Sequence, residues 1–408
     1  MKSVKATLIS WRNILLPGYF GEALLALLFN LGGIVAGFTV AYQLDVFQLS
    51  TWALAIYPGI LTVRGMISGL LSGRLGTALH MGTAYPRLLG NTKDFYLLFK
   101  AAIVLTLISS FVISLVSVFV GVFFWGLTFG DFWDILTVVC STMFLGLALS
   151  LITVQVSFIS FKKGLDPDII TYPVMSTVAD IFITLCYSFT LNLFFLSGPG
   201  GRYATILFGM LLLVLSLAVL PKSFREREFL KTIKESLLTL VLVAFIVNFT
   251  GTILRGISET VGSRLEIYTV YPALIDTVGD VGSIIGSTAT TKLMLGLLEP
   301  SLSSMRKHAG RIFSTWIASI IMFLIYALCS LVINNIFTLQ KFLRLTALLL
   351  LTNLIAVSII LLLTLFIAIL TFKRGLDPDN FVIPVETSLA DTITSLALLV
   401  SILIMELI

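Results

Sequence analysis

Apolar runs long enough to cross a bilayer recur from end to end of this 408-residue chain, and that recurrence limits its fold more than any other feature. A hydrocarbon layer of about 30 Å takes roughly 20 helical residues, or 9–11 residues of tilted strand. Inside lipid every backbone N–H and C=O must be bonded within the protein, so only helices and closed barrels span it. The runs here have helical length and lack the ten-residue alternation of barrel strands. The expected fold is an all-α polytopic membrane protein of about 11 transmembrane helices. They fall at about 20–42, 53–82, 97–127, 133–161, 168–196, 203–221, 235–256, 267–298, 310–336, 343–372 and 379–406. With 58% hydrophobic and 12% charged residues and a mean hydropathy of +1.07, the chain is not an ordinary soluble domain. The longest polar stretch, 222–236, is too short to form one.

A twenty-residue segment occurs twice. Residues 161–180 read FKKGLDPDIITYPVMSTVAD and residues 372–391 read FKRGLDPDNFVIPVETSLAD, every position 211 apart. A second pairing, 214 apart, aligns Tyr57-Pro58 with Tyr271-Pro272, Gly65 with Gly279, Thr77 with Thr291 and Gly82 with Gly296. The chain therefore divides into a five-helix repeat with an N-terminal interfacial segment (1–196), a linking helix and cytoplasmic loop (197–234), and a second five-helix repeat (235–408). Two five-span units joined directly would be inverted across the membrane. The unpaired sixth span restores a common orientation, which predicts parallel repeats about a pseudo-twofold axis along the membrane normal. Of the 26 basic residues, only Arg202, Arg255, Arg264, Lys341 and Arg344 fall outside if the N-terminus is cytoplasmic, and Arg64, Arg74 and Lys292 lie within spans. This bias predicts a multi-pass cell-membrane protein with its N-terminus inside and its C-terminus outside. The net charge of +5 reflects topology, and nucleic acid is not an expected partner.

Each copy of the segment ends on an acid set deep in a span. Asp180 and Asp391 follow Asp168 and Asp379 by 12 residues, about 18 Å at helical rise. A carboxylate near mid-bilayer costs about 2.5–3.5 kcal/mol and normally faces a bundle interior or an aqueous path. One reading is a hydrogen-bonded interhelical contact; the other is a cation site shared by the two repeats, since like charges brought together repel unless a cation intervenes. Asp276, Asp280 and Glu386 add acids where the first repeat has Thr62, Met66 and Met175, making a metal site asymmetric. The earlier part of the segment reads as a tight turn, with Gly164 and Gly375 ending one helix and Asp166-Pro167 and Asp377-Pro378 starting the next. Pro173 and Pro384 leave the carbonyls of Ile169 and Asn380 unbonded, either kinking the helix or lining an ion path. Gly65, Gly69 and Gly73, and Gly282 and Gly286, are spaced for close helix approach or a narrow backbone-lined passage. Arg64 aligns with Val278, flanked by Asp276 and Asp280. It reads as a gating residue or countercharge, either paired structurally with an acid or tethered in the acidic site when metal is absent. Cys140, Cys186 and Cys329 form no metal motif. His80 and His308 lie near the span ends with no catalytic constellation, so no enzyme is expected.

The five-span unit, the SGRLGTALHMG segment ending its second span and the Pro…Ala-Asp segment of its fifth resemble the membrane domain of MgtE-type magnesium channels and transporters. The fused arrangement is similar to eukaryotic and archaeal solute-carrier relatives with two such domains in one chain, and the resemblance spans nearly everything but the linking helix. It implies that Asp180 and Asp391 are the pore magnesium ligands. A Gly-Asn pair expected in the second span appears as Gly65-Met66 and Gly279-Asp280, and no stretch matches the cytosolic magnesium-sensing domains of bacterial members. The implied function is transport of a divalent cation, magnesium first, along a path between the repeats. The cation is cargo and no cofactor is implied; the partners are divalent cations and the lipid bilayer, with one chain acting as a monomeric pseudo-dimer. The alternatives are a sodium- or proton-coupled exchanger using the same acids, and, further off, an intramembrane scaffold or enzyme.

Overall fold

A computed structural model describes residues 17–162, 167–294, 296–297, 299–301, 309–374 and 379–406. The expected interfacial segment before residue 17 and the glycines and first acids of both GLDPD turns lie outside the described residues. Among the described residues the regular structure is entirely helical. The helices are α1 Pro17–Leu28, α2 Leu31–Tyr42, α3 Leu44–Phe47, α4 Ala53–His80, α5 Lys93–Phe124, α6 Phe132–Lys162, α7 Pro167–Phe195, α8 Gly198–Ser223, α9 Arg227–Val261, α10 Leu265–Met294, α11 Ala309–Ile333, α12 Leu339–Lys373 and α13 Asp379–Glu406. Among the described residues ten stretches are long and apolar enough to cross a membrane, so the chain is a polytopic helical membrane protein. The eleventh expected span is α10, 30 residues long; Asp276, Asp280 and its many hydroxyls keep its composition below that of its neighbours.

Local chemistry explains most boundaries. Thr92 and Thr338 cap α5 and α12 by accepting from the N–H of Phe95 and Lys341, satisfying donors that a helix start leaves open. α7 begins on Pro167, whose fixed φ suits the first turn. Two boundaries differ from expectation. The sixth span, expected from about 203, starts as α8 at Gly198, which has φ +61°, with Pro199 in the first turn. The polar stretch 222–236 is not a loop: α9 starts at Arg227, because Phe229, Leu230 and Ile233 pack on Leu97, Ala101 and Val104 of α5. Its polar face is tied down as well, by a 2.8 Å Lys93–Glu226 ion pair and a hydrogen bond from Arg74 to Thr232.

The described chain forms two compact units, and they do not follow the sequence repeats. One comprises residues 39–255 and contains Asp180; the other comprises 17–38 with 256–406 and contains Asp391. Each unit thus holds the later spans of one repeat with most of the first span of the other. Glycine contacts explain the exchange. A side chain at Gly251 of α9 would overlap the Ala55 carbonyl at the start of α4, and one at Gly37 of α2 would overlap the Thr269 carbonyl at the start of α10. Residue 251 lies 214 beyond 37, and 269 lies 214 beyond 55, so the two contacts are copies of one another. A neighbouring pair repeats with its small residue switched: Gly33 lies against Ala273, whereas Val247 lies against Gly59. Between apolar helices in lipid, such close backbone approach selects partners where hydrophobicity cannot. Polar bonds reinforce the fit in the Asp180 unit, where Ser117 of α5 and Trp125, just past its end, donate to Asn248 and Thr252 of α9 at 2.6 and 3.0 Å.

Candidate functional site

Both deep acids stand in the same frame. In the Asp180 unit the hydroxyls of Tyr57 on α4 and Thr184 on α7 are 2.9 Å apart, and Tyr187 donates to the Ala53 carbonyl at 2.6 Å. In the Asp391 unit the hydroxyls of Tyr271 on α10 and Ser395 on α13 are 2.8 Å apart. Thr184 and Ser395 lie four residues, one helical turn, after Asp180 and Asp391. The second span of each repeat is therefore bonded to its fifth one turn from the acid. All four hydroxyl-bearing residues are buried, and Asp180 is 8% exposed; Asp391 is half-buried. Sequence reasoning passed over Thr184 and Ser395, although both hydroxyls obey the 211-residue offset.

The surroundings of the two acids differ. In the Asp391 unit, Asn30, in the short break between α1 and α2, donates to Asp280 Oδ2 at 2.8 Å and lies 3.4 Å from Thr277 Oγ1. Thr277 in turn meets the Tyr326 hydroxyl at 2.7 Å, and Tyr326 is within electrostatic reach of Asp276 and Asp280. Asn30 was also missed; an amide interrupting an apolar run is the signal that could have found it. The Glu386 side chain lies outside what is described. Among the described residues, no three His, Cys, Asp or Glu side chains gather closely enough to hold a metal.

The Asp180 unit carries a cation where its counterpart carries acids. Arg64 is 0% exposed. Its guanidinium donates to Ser150 at 2.6 Å and Thr106 at 3.4 Å, Gly146 lies beside it, and its Nε has no partner. Among the described residues no carboxylate is within ion-pairing distance of it, so hydroxyls, not the acid of a structural ion pair, hold this charge. Its counterpart Val278 is a buried core residue.

The glycine stripe of α4 also resolves. Among the described residues no atom lies within 4 Å of where a side chain at Gly65 or Gly73 would begin, so these two positions border space. A cavity of about 30 Å³ is lined by Gly65, Ser68, Gly69, Ser72, Met175 and Ser176, about one water's share of liquid volume. Ser68, 4% exposed, has no partner for its hydroxyl. The cavity lies between the second and fifth spans, and Ser176 is one turn before Asp180. α7 and α13 continue as helices through positions 173 and 384.

A bundle of membrane-length helices, with an acid duplicated in matching hydroxyl frames and, in one unit, a narrow polar cavity one turn from it, defines a class: an integral membrane protein built around internal polar groups, as transporters are. The comparisons name the family. Residues 57–190 and 271–401 match the family model MgtE, described as "Divalent cation transporter"; together these stretches cover more than half of the chain, which belongs to this family. Residue 271 lies 214 beyond 57 and residue 401 lies 211 beyond 190, the offsets of the two sequence pairings. The chain is similar to solute carrier family 41 member 3 of Mus musculus, 25% identical over 85% of this chain and 73% of that protein. It is likewise similar to solute carrier family 41 member 3 of Rattus norvegicus, 24% identical over 90% of this chain and 82% of that protein. No solved structure matches. Divalent cation transport, and not catalysis, is thus the activity at the level of the family.

Proposed function

We propose that this chain carries magnesium across the membrane, with Asp180 and Asp391 as the carboxylates that meet the ion along its path. The observation that carries the reading is the duplicated frame: Tyr57 with Thr184 and Tyr271 with Ser395, each one turn from a deep acid. A carboxylate set twice in one way within a span is a feature maintained for a task, since mid-bilayer acid is costly and an interhelical contact alone needs none. Magnesium takes six oxygen ligands and gives up water reluctantly, so it is handled with one or two carboxylates and retained waters. That suits two acids from two repeats better than a closed cage, in line with the absence of a three-residue centre among the described residues. Asp276, Asp280 and Glu386 supply further negative charge to one half, and Arg64 supplies a fixed positive charge to the other that acts through its field.

Because both acids belong to one chain, a single chain supplies the complete pair. The basic-residue bias supports a cell-membrane location with a cytoplasmic N-terminus. The test is uptake by purified protein in liposomes, with magnesium, manganese, calcium and cobalt offered with and without sodium or proton gradients. Magnesium flux that needs no gradient and falls in both Asp180→Asn and Asp391→Asn is expected. Flux that follows the sodium or proton gradient would replace this reading with coupled exchange through the same acids. Undiminished flux in either variant at equal expression would remove that residue from the path.

A further inference from the structure

A second cavity, of about 190 Å³, opens in the Asp391 unit among α1, α10 and α11, and Asp276, Asp280 and Asp391 are not among the residues that line it. Its polar lining is Tyr19, Glu22, Ser287, Thr288, Arg311 and Thr315. Arg311 is built into place: its Nη1 donates to Thr288 Oγ1 at 2.8 Å, and its guanidinium carbon sits 3.9 Å from the centre of the Tyr19 ring. The Tyr19 and Thr288 contacts orient the guanidinium and leave most of its five donors for something else. Thr315 is 1% exposed, and among the described residues its hydroxyl has no partner. Glu22 borders the same cavity, yet it and Arg311 do not pair with each other; a gap separates two opposite charges that share one pocket.

Electrostatics show which charge is missing. Arg311 stands in the first turn of α11, where the positive end of the helix disfavours a cation and favours an anion. Lys292 lies one turn beyond Thr288 on α10, close enough for the Arg311 charge to act on it. A metal cation is disfavoured beside Arg311 at this helix start, whereas an anion on it is favoured. Glu22 then suits a positive group carried by the same ligand. The volume is about six waters' share of liquid and below the range of drug-sized pockets, which admits a small phosphate ester and leaves out a nucleotide. The starts of α1 and α11 are the ends of apolar spans, so the cavity stands at the membrane–water boundary, where aromatic and basic anchors collect.

We propose that this cavity binds a phosphate–ammonium group, with the phosphate on Arg311 and Thr315 and the ammonium on Glu22. Phosphoethanolamine has this chemistry, either as the head group of a lipid or as a free ester. The occupant joins α1 to α10 and α11, and so braces the contact that Asn30, at the end of α1, makes with Asp280.

The test uses the full chain and reads binding, so that a failure of the transport reading leaves it unaffected. Thermal unfolding and native mass spectrometry are compared for protein in nanodiscs of phosphatidylethanolamine or phosphatidylglycerol, and for detergent-solubilised protein with free phosphoethanolamine or inorganic phosphate. Expected are retention of the ethanolamine lipid over the glycerol lipid, loss of that preference in Glu22→Gln, and affinity about tenfold lower in Thr315→Val and Arg311→Gln (about 1.4 kcal/mol). Should Arg311→Gln fail to fold, the Glu22 and Thr315 variants carry the test alone. A stabilising shift with free phosphoethanolamine equal to that with the lipid assigns a soluble ligand, and a shift with lipid alone assigns the head group. No preference for the ethanolamine compounds, inorganic phosphate binding equally well, or a preference unchanged in Glu22→Gln would overturn the proposal.

Discussion

Helices α4 and α10 are copies of the same span, and they answer the same packing problem with opposite charges. Both bond a tyrosine to a hydroxyl one turn from a deep acid, and both receive a glycine of a first span against their opening carbonyls. Beyond that frame they part. α4 carries buried Arg64 among hydroxyls and glycines facing open space; α10 carries Asp276 and Asp280, the latter bonded to Asn30. The difference teaches that what was kept through duplication is the scaffold that presents the fifth-span acid. The electrostatic setting of each acid diverged: Asp180 shares its unit with a fixed cation, and Asp391 shares its unit with further anions.

The largest expected effect tests that inequality. Asp180 is the deep carboxylate of its unit, so Asp180→Asn is expected to lower divalent flux about a hundredfold (about 2.7 kcal/mol). Asp391→Asn leaves Asp276 and Asp280 on α10 of the same unit and is expected to lower it about tenfold. Liposome uptake at matched protein content reads both, and equal losses would break the asymmetry. Next is a pair of glycines with opposite roles. Gly251→Ala drives a methyl into the Ala55 carbonyl and should cost about 1–3 kcal/mol of stability, with Gly37→Ala alike in the other unit. Gly65→Ala meets no atom and should leave the unfolding temperature in place while reducing flux. A destabilised Gly65→Ala would mean that the stripe is packing after all.

A smaller effect is expected at the cation. Arg64→Gln can keep the hydroxyl contacts while removing the charge, and should tighten divalent binding about tenfold (about 1.4 kcal/mol), read by calorimetry or metal-dependent thermal shift. Weaker binding with a destabilised metal-free protein would make Arg64 a structural residue only. The smallest effect concerns what the helices share. Tyr57→Phe and Tyr271→Phe each remove one buried hydroxyl partner and should cost about 1 kcal/mol, by the same amount in both units. Unequal losses in thermal unfolding would show that the frames are equivalent in geometry but not in energy.

Much of this was legible along the chain because it is local or repeated. Span positions follow from hydropathy, the start of α7 from Pro167, and the acids from a constant offset; each needs only neighbouring residues or a comparison of the chain with itself. The neighbours of the acids were less legible. Arg64 invited an acid as its partner, since an arginine in lipid is costly alone, yet Ser150 and Thr106 hold it; hydroxyls are scattered through every span, and nothing in their spacing marks these two. The stretch 222–236 read as a loop because it is charged, and its helix depends on Phe229 finding α5.

The deepest gap concerns which spans share a unit. Periodicity and duplication establish the helices, their repeats and the two acids, all of which are properties of one segment or of two compared. Partner choice is a property of surfaces in three dimensions. In lipid every span is similarly apolar, so hydrophobicity does not tell one neighbour from another. What discriminates is whether a backbone can approach, and that rests on single small residues: Gly37 against Thr269 and Gly251 against Ala55. Those contacts put most of each repeat's first span with the other repeat's remaining helices, an exchange encoded in the same letters as the repeats but visible only where the chains of atoms meet.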